Sequence, residues 1–314
     1  MAPNNMTSGQ ARVIDPILST HARGYTNMEM IGHLLFPVAN IPTRGVRVIK
    51  FGKESFRMMN TARAPGAETA RVQYGYASGP VALRQDSLEG LVPWENQEEA
   101  ANIPGIDLAS GSVEMVLDVF ALGREFAIAK LARDPNNYGS NNKIALTNSD
   151  KWSDPDSDPA KDIKTGREQI RRRIGRYPNK LTLGPPVYNV LTEHPKIKDQ
   201  FKHTTSDSIT AAMLAKYFEL DEVIIGKAVY LEENADDDAD AKDVWGDDAI
   251  LSYSSKGTNF RVPSFGYTYR LNGHPTVEQP YPERNRKSWV YPVTEDWSPQ
   301  MTGPDAGFLF QTPI

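Results

Sequence analysis

The most regular hydrophobic pattern in the chain spans residues 112–133 and predicts a long helix with two apolar faces. One face carries Val113, Val116, Leu117, Phe120, Ala127 and Leu131, and the opposite face carries Met115, Val119, Leu122 and Phe126. Glu114, Asp118 and Glu125 form a narrow acidic strip between these faces. Helices that are apolar on two sides are typical of elements packed between layers or between subunits.

A mixed pattern follows this helix and predicts an α/β or α+β unit of roughly 120 residues. Asp158 and Pro159 have the form of a helix N-cap followed by proline in the first turn. The predicted helices span residues 159–177, 186–194 and 209–218, and the predicted strands span residues 180–183, 223–231 and 249–253. The strand pattern returns at residues 267–271, 288–291 and 308–310, between turns rich in proline and glycine.

The first 42 residues show no sustained period, so we expect them to form an arm without a core of its own. Such a terminus is ordered only when something holds it, and a neighbouring subunit is the simplest candidate. Residues 43–90 alternate short β-like runs with basic residues and then become rich in glycine, alanine and proline. The β-like runs predict an extended two-stranded loop with a loose tip. A stretch of roughly 45 residues with so little apolar content would be anomalous inside a compact domain, and long loops of that kind are usually functional or disordered.

Charge is unevenly distributed, although the net charge of −5 is modest. Residues 1–180 hold 23 basic and 20 acidic side chains, whereas residues 181–314 hold 12 and 20. The extended loop has a basic set: Arg44, Arg47, Lys50, Lys53, Arg57, Arg63 and Arg71. These cations repel one another unless an acidic partner is near, so pairing with another subunit is favoured over packaged nucleic acid or a solvated loop.

A second basic cluster, Arg171 to Arg173, lies on the predicted helix 159–177. The alternatives for it are a solvated helix face, phosphate binding or pairing with another subunit's acidic loop. That acidic loop holds the negative excess of the chain, nine acidic residues against Lys242 between residues 232 and 248.

The acidic loop partly imitates a calcium-binding loop. Asp236, Asp237, Asp238 and Asp240 are its central members, and a solvated contact loop is the favoured interpretation. Calcium is disfavoured because Ala241 stands where the sharp turn needs glycine and Asp247 replaces the bidentate glutamate. The loop leaves open a metal-dependent hydrolase as an alternative of a different class.

Other chemical signatures are missing from the sequence. Cysteine is absent, and the common dinucleotide, P-loop, zinc-protease and serine-hydrolase motifs do not occur. The histidines lack metal-ligand spacing, so we interpret them as turn or packing residues and expect no metal or cofactor. The missing motifs do not exclude an enzyme. The polar N-terminus and the lack of a long apolar run indicate a soluble intracellular product without a membrane partner.

The order of these parts resembles the major capsid proteins of tailed bacteriophages with the Hong Kong 97-type fold, an α+β fold. Local phrases are similar too: LTLGPPVYNVL at 181–191, LAKYFELDEVIIGKA at 214–228, WGDDAIL at 245–251 and AGFLF at 306–310. The resemblance implies an N-terminal arm at 1–42, an extended loop at 43–90, a peripheral domain at 91–150 with 271–314, and an axial domain at 151–270. The long helix would then be the spine helix, packed through Val113, Leu117, Phe120, Leu122, Phe126 and Leu131.

The resemblance further implies a structural protein, not an enzyme, that self-assembles into hexamers and pentamers of an icosahedral head around double-stranded DNA. Portal, scaffold or decoration proteins would be its partners, and the DNA contact would be non-specific. The protein would reside in the virion capsid and, during assembly, in the host cytoplasm. Some relatives crosslink a loop lysine, for which Lys50 and Lys53 are candidates. An encapsulin shell around an enzyme cargo is the alternative within the fold, and the long 43–90 stretch favours the phage capsid.

Overall fold

The three-dimensional description rests on a computed structural model. It describes residues 14–48, 62–63, 65, 68–69, 80–103, 106–202, 208–236, 238–257 and 262–314. Within these ranges, no helix combines the length and the hydropathy needed to cross a membrane.

Helices and strands alternate along the chain and build two main sheets. The helices are α1 (Pro16–Gly24), α2 (Gly32–Leu35), α3 (Trp94–Ala100), α4 (Leu108–Arg133), α5 (Pro159–Ile174), α6 (Pro185–Glu193), α7 (Pro195–Phe201) and α8 (Ala211–Tyr217). The strands up to the acidic loop are β1 (Val38–Ile41), β2 (Gly45–Arg47), β3 (Pro80–Ala82), β4 (Arg84–Pro93), β5 (Lys143–Ala145), β6 (Lys180–Leu183), β7 (Glu222–Ile225) and β8 (Val229–Tyr230). The strands after it are β9 (Lys242–Asp243), β10 (Ala249–Ser252), β11 (Gly266–Leu271), β12 (Thr276–Val277), β13 (Tyr281–Glu283), β14 (Ser288–Met301) and β15 (Gly307–Gln311).

Helix α4 is the predicted long helix, and it begins four residues before the predicted start. The Asp107 side chain caps it by accepting hydrogen bonds from the backbone N–H groups of Ala109 and Ser110 at 3.0 and 3.2 Å. The weak helix formers at 110–112 hid this start from the sequence pattern. The helix ends where Asp134 adopts an extended conformation before Pro135, as the proline rule predicts.

The larger sheet is organised around the 14-residue strand β14. Along one edge β14 pairs in turn with β11, β12 and β13, and along the other edge it pairs with β4 over ten residue pairs. Helix α4 packs against β4 and β14, with Val113, Leu117 and Phe120 in the shared core. This sheet also takes β1 from the N-terminal segment, in parallel with β11.

The second sheet has the order β5-β15-β10-β6-β7 and is covered on both faces. Phe308 and Phe310 of β15 meet Gly166 of α5 on one face. On the other face, Lys180 of β6 donates from Nζ to the Leu34 carbonyl of α2 at 2.8 Å. Strands β5 and β15 lie outside residues 151–270, so this sheet draws on chain segments that the family resemblance placed in the peripheral domain.

The N-terminal segment differs from the expected coreless arm. Leu35, Phe36, Ala39 and Ile41 are at most 1% exposed, and β1 belongs to the larger sheet. From residue 14 onward the segment therefore packs on its own chain, and the expectation that it lacks a core is wrong for this part. The sequence suggested otherwise because the elements are short and each finds its apolar partners far along the chain. A contact with a neighbouring subunit stays a prediction.

The remaining boundaries shift for local reasons. Helix α5 ends at Ile174 instead of 177, because Gly175 adopts a left-handed conformation with φ of 67° and its N–H bonds back to the Arg171 carbonyl. The apolar run predicted as one strand at 223–231 forms two strands, β7 and β8, that pair in different sheets. A continuous apolar run carries no signal for such a break.

Candidate interaction surfaces

The acidic strip of helix α4 holds the N-terminal segment in place. Glu114 Oε1 lies 2.9 Å from Nε2 of His21 in α1. One turn further along, Asp118 Oδ1 accepts hydrogen bonds from the Tyr25 hydroxyl at 2.8 Å and from the Asn27 amide at 2.7 Å. The hydrogen bond to Asp118 is the main cause that raises the pKa of Tyr25 to about 12. The acidic strip thus binds the N-terminal segment of the same chain. The spacing of these residues in the sequence does not reveal this role.

Glu125 anchors the end of this strip in the protein interior. It is 1% exposed and accepts hydrogen bonds from the backbone N–H groups of Ile31 at 3.1 Å and Gly32 at 2.6 Å. Its Oε1 also accepts from the Trp245 indole N–H at 2.6 Å. A Cβ at residue 32 would lie 2.7 Å from Glu125 Oε2, so the close approach requires glycine. Burial raises the pKa of Glu125, and the three hydrogen bonds oppose that shift.

A cavity of about 230 Å³ lies between the N-terminal segment, α4 and the larger sheet. Arg124 and Arg270 converge there on Glu295, which is fully buried. Arg124 Nη1 donates to Glu295 Oε2, and Arg270 Nη1 lies 3.9 Å from Glu295 Oε1. Burial lowers the pKa of Arg270. These charges link α4 to β11 and β14 at the wall of the cavity.

The N-terminal part of the second apolar face of α4, with Met115 and Val119, is open to solvent in the subunit. Val113, Leu117 and Phe120 of the predicted spine set are buried, and Leu122 and Leu131 are partly buried. Phe126 is 39% exposed and meets the Tyr230 ring at 4.7 Å between centroids. Two further apolar side chains of this face are exposed still more, Met115 by 60% and Val119 by 53%.

The basic set of the extended loop is only partly described. Arg44 Nε donates to Asp296 Oδ2 at 2.5 Å, beside the β2–β3 pair that begins the loop. Arg47 and Arg63 are exposed. Lys50, Lys53, Arg57 and Arg71 lie outside the described residues. The role of this set in contacts between subunits therefore stays a prediction.

The predicted acidic contact loop connects β8 and β9 and faces solvent. Asp236, Asp238 and Asp240 are exposed, and Asp237 lies outside the described residues. In the described ranges, no group of three or more acidic or histidine side chains is close enough to hold a metal ion. Further along, Asp248 accepts a hydrogen bond from Arg133 of α4 at 2.7 Å and so belongs to the body.

The three consecutive arginines of α5 have separate surroundings. Arg171 donates to Glu168 on its own helix at 2.7 Å, and Arg173 donates to Asp305 at 2.6 Å. Arg172 is exposed and lines a surface groove beside Lys161 and Lys164. Consecutive helical positions point in different directions, which explains why one sequence motif divides into a structural and an exposed part.

A long helix packed on one β-sheet and a second sheet covered on both faces define the Hong Kong 97-type capsid fold. The mature capsid protein of bacteriophage PhiM1 shares this fold, with a TM-score of 0.52 and 13% identity over 92% of this chain and 88% of that one. The holo-SrpI encapsulin complex from Synechococcus elongatus PCC 7942 is similar, with a TM-score of 0.57 and 11% identity over 92% and 89%. Both similarities show the fold alone.

Sequence similarity separates the phage proteins from the encapsulin. The major capsid protein of Burkholderia phage BcepMu is 34% identical over 304 residues, which cover 95% of this chain and 96% of that protein. The crystal structure of a phage-related protein from Bordetella bronchiseptica RB50 has a TM-score of 0.84 and 43% identity over 97% and 98%. The pattern of the family Phage major capsid protein E matches residues 136–291. This chain belongs to the phage major capsid proteins, and its role is structural.

Proposed function

We propose that this protein forms hexamers and pentamers that close into the icosahedral head around a double-stranded DNA phage genome, without any catalytic step. Assembly would take place in the host cytoplasm. Portal and scaffold or decoration proteins, together with non-specific contacts to DNA, complete the set of partners. The exposed basic side chains of the extended loop would lie against a neighbouring subunit.

The observation that carries this proposal is the open apolar face of α4. Met115 and Val119 expose more than half of their surface on a helix whose opposite face is buried. Exposed apolar side chains on the central helix of a subunit favour association, because burying them removes apolar surface from water. A shell subunit needs such surfaces, since its stability is coupled to assembly.

Negative-stain microscopy with light scattering, at low and high salt, tests the proposal. We expect closed particles, or rings of five and six subunits, from the wild-type protein. Val119→Asp should lower the assembled fraction at least tenfold, because it places a charge in an apolar contact. Asn189→Asp, on the exposed side of α6, is the matched control and should assemble like wild type.

Two outcomes would contradict the proposal. A wild-type protein that stays monomeric or dimeric at every salt concentration, also with its scaffold partner co-expressed, argues against a shell. Normal assembly of Val119→Asp would show that the open face of α4 is not a contact.

A further inference from the structure

A groove of about 620 Å³ on the outer side of α5 is lined by three cations, Lys161, Lys164 and Arg172, and by two carboxylates, Asp158 and Glu168. Among the described residues, Lys161, Lys164 and Arg172 make no ion pair within 4.0 Å. The two carboxylates of the groove are already engaged. Asp158 accepts from the Lys161 backbone N–H as helix cap, and Glu168 accepts from Arg171 and from the Tyr177 hydroxyl. The three cations outnumber the two carboxylates, and Glu168 already pairs with Arg171, so the groove favours an anionic occupant.

The loop between β8 and β9 has the opposite character. Glu232 pairs with Lys242 at 2.6 Å, whereas Glu233, Asp236, Asp238 and Asp240 are exposed. These four carboxylates make no ion pair with any part of the chain that the structure describes. Like charges so close in sequence repel one another, so an array of cations opposite the loop would stabilise it.

The groove and the loop belong to opposite faces of the five-stranded sheet. Helix α5 covers the face of Phe308 and Phe310. The loop starts on the other side, where Tyr230 packs on Phe126 of α4 and Trp245 bonds to Glu125. Helix α4 contacts α2, and α2 receives the Lys180 hydrogen bond on that same face. The two charged surfaces are consequently attached to opposite faces of this sheet within one subunit.

Two different, complementary surfaces on opposite sides of a subunit are what a closed ring requires. A ring of identical copies uses a heterologous contact, in which one patch of each copy meets a second patch of the next. We propose that the acidic loop of one copy of this chain seats in the α5 groove of the next copy around a ring. In this contact, Asp238 and Asp240 of one copy pair with Lys161 and Lys164 of the next. The inference rests on the proposed function as a shell protein.

Charge reversal on the two surfaces, alone and combined, tests the contact. Lys161→Glu with Lys164→Glu, or Asp238→Lys with Asp240→Lys, should each lower the fraction of protein in rings and particles at least tenfold at low salt. The combination of all four substitutions restores opposite charges and should bring assembly back to within about threefold of wild type. All of these side chains are exposed, so unassembled variants should keep the wild-type thermal melting point.

A matched control separates specific pairing from a change in net charge. Glu98→Lys with Glu99→Lys reverses two exposed carboxylates on α3, and it should not rescue the groove reversal. Rescue by this control as well would overturn the pairing, because net charge alone would then explain the result. Failure of the fourfold variant, with wild type assembling normally, overturns the pairing but leaves the proposed function intact.

The phosphate backbone of packaged DNA is the other possible anionic occupant of the α5 groove, and the DNA content of particles distinguishes it from the acidic loop. If the groove reversal leaves assembly unchanged and instead lowers the DNA content of particles, the groove binds phosphate and the pairing is wrong. A wild-type protein that forms no rings or particles at all would instead contradict the proposed function itself.

Discussion

Two acidic regions of this protein look alike in the sequence and behave differently in the fold. The strip of Glu114, Asp118 and Glu125 on α4 is occupied by side chains and backbone of the N-terminal segment. The loop between β8 and β9 carries its carboxylates into solvent, and Asp238 and Asp240 find no cation among the described residues. The comparison teaches that acidic side chains stabilise the subunit where donors of the same chain reach them. Asp238 and Asp240 of the loop between β8 and β9 are free of such donors among the described residues, so they can meet another copy of the chain.

The largest difference between the two regions should appear at Glu125. Replacing Glu125 with alanine leaves the Ile31, Gly32 and Trp245 donors without their acceptor in the interior. We expect a loss of about 3 kcal/mol in the free energy of unfolding, measured by urea denaturation of unassembled protein. Glu114→Ala, at the exposed end of the same strip, is the control and should cost no more than about 0.5 kcal/mol. Equal losses for both variants would refute the distinction.

A pH dependence should follow from the raised pKa of Glu125. The folded protein holds a proton on this carboxyl more tightly than the unfolded chain, whose value is near 4.5. The contribution of Glu125 to the free energy of unfolding is therefore full below about pH 4.5. It is lost as pH rises through the higher pKa of the folded state, by about 1.4 kcal/mol for each unit by which the folded and unfolded pKa values differ.

Urea unfolding between pH 4 and 7 measures this effect. Glu125→Gln cannot titrate, so its stability should fall less steeply with rising pH than that of the wild type. Parallel curves for the two proteins would show that Glu125 titrates alike in both states.

The smallest effect should be found in the acidic loop. Asp236, Asp238 and Asp240, replaced together by asparagine, lose no contact within the described chain. The urea midpoint of the unassembled subunit should stay within measurement error of wild type. A clearly lower urea midpoint would show that these carboxylates have a partner inside the subunit. The acidic loop would then not differ from the acidic strip of α4.

Elements whose signals are local could be predicted from the sequence. Strand β6 has the predicted bounds, and α5 begins after Asp158 as its cap and proline indicate. The body of α4 followed from its apolar period, and its C-terminal end followed from Pro135. In each case the deciding residues lie within a few positions of the element that they specify.

Features that depend on distant partners escaped prediction. The acidic strip was visible, but Tyr25 and Asn27 lie 93 and 91 residues from Asp118. The docking of the segment also depends on Trp245, 120 residues beyond Glu125. The α5 groove was hidden inside the run of three arginines, because only the fold shows which of them already has a partner. Spacing within one helix cannot supply these pairings.

The pairing of β1 with β11 has a consequence for the order of folding during synthesis. Asn40 meets Arg270 across a separation of 230 residues, so the segment emerges from the ribosome long before its partner strand exists. At about 5 to 20 residues per second, this delay is about 10 to 50 s. During that time Leu35, Phe36 and Ile41 have no sheet to cover them and are open to chaperones. This segment, made 230 residues before its partner strand, is thus among the last parts of the fold to reach its final place.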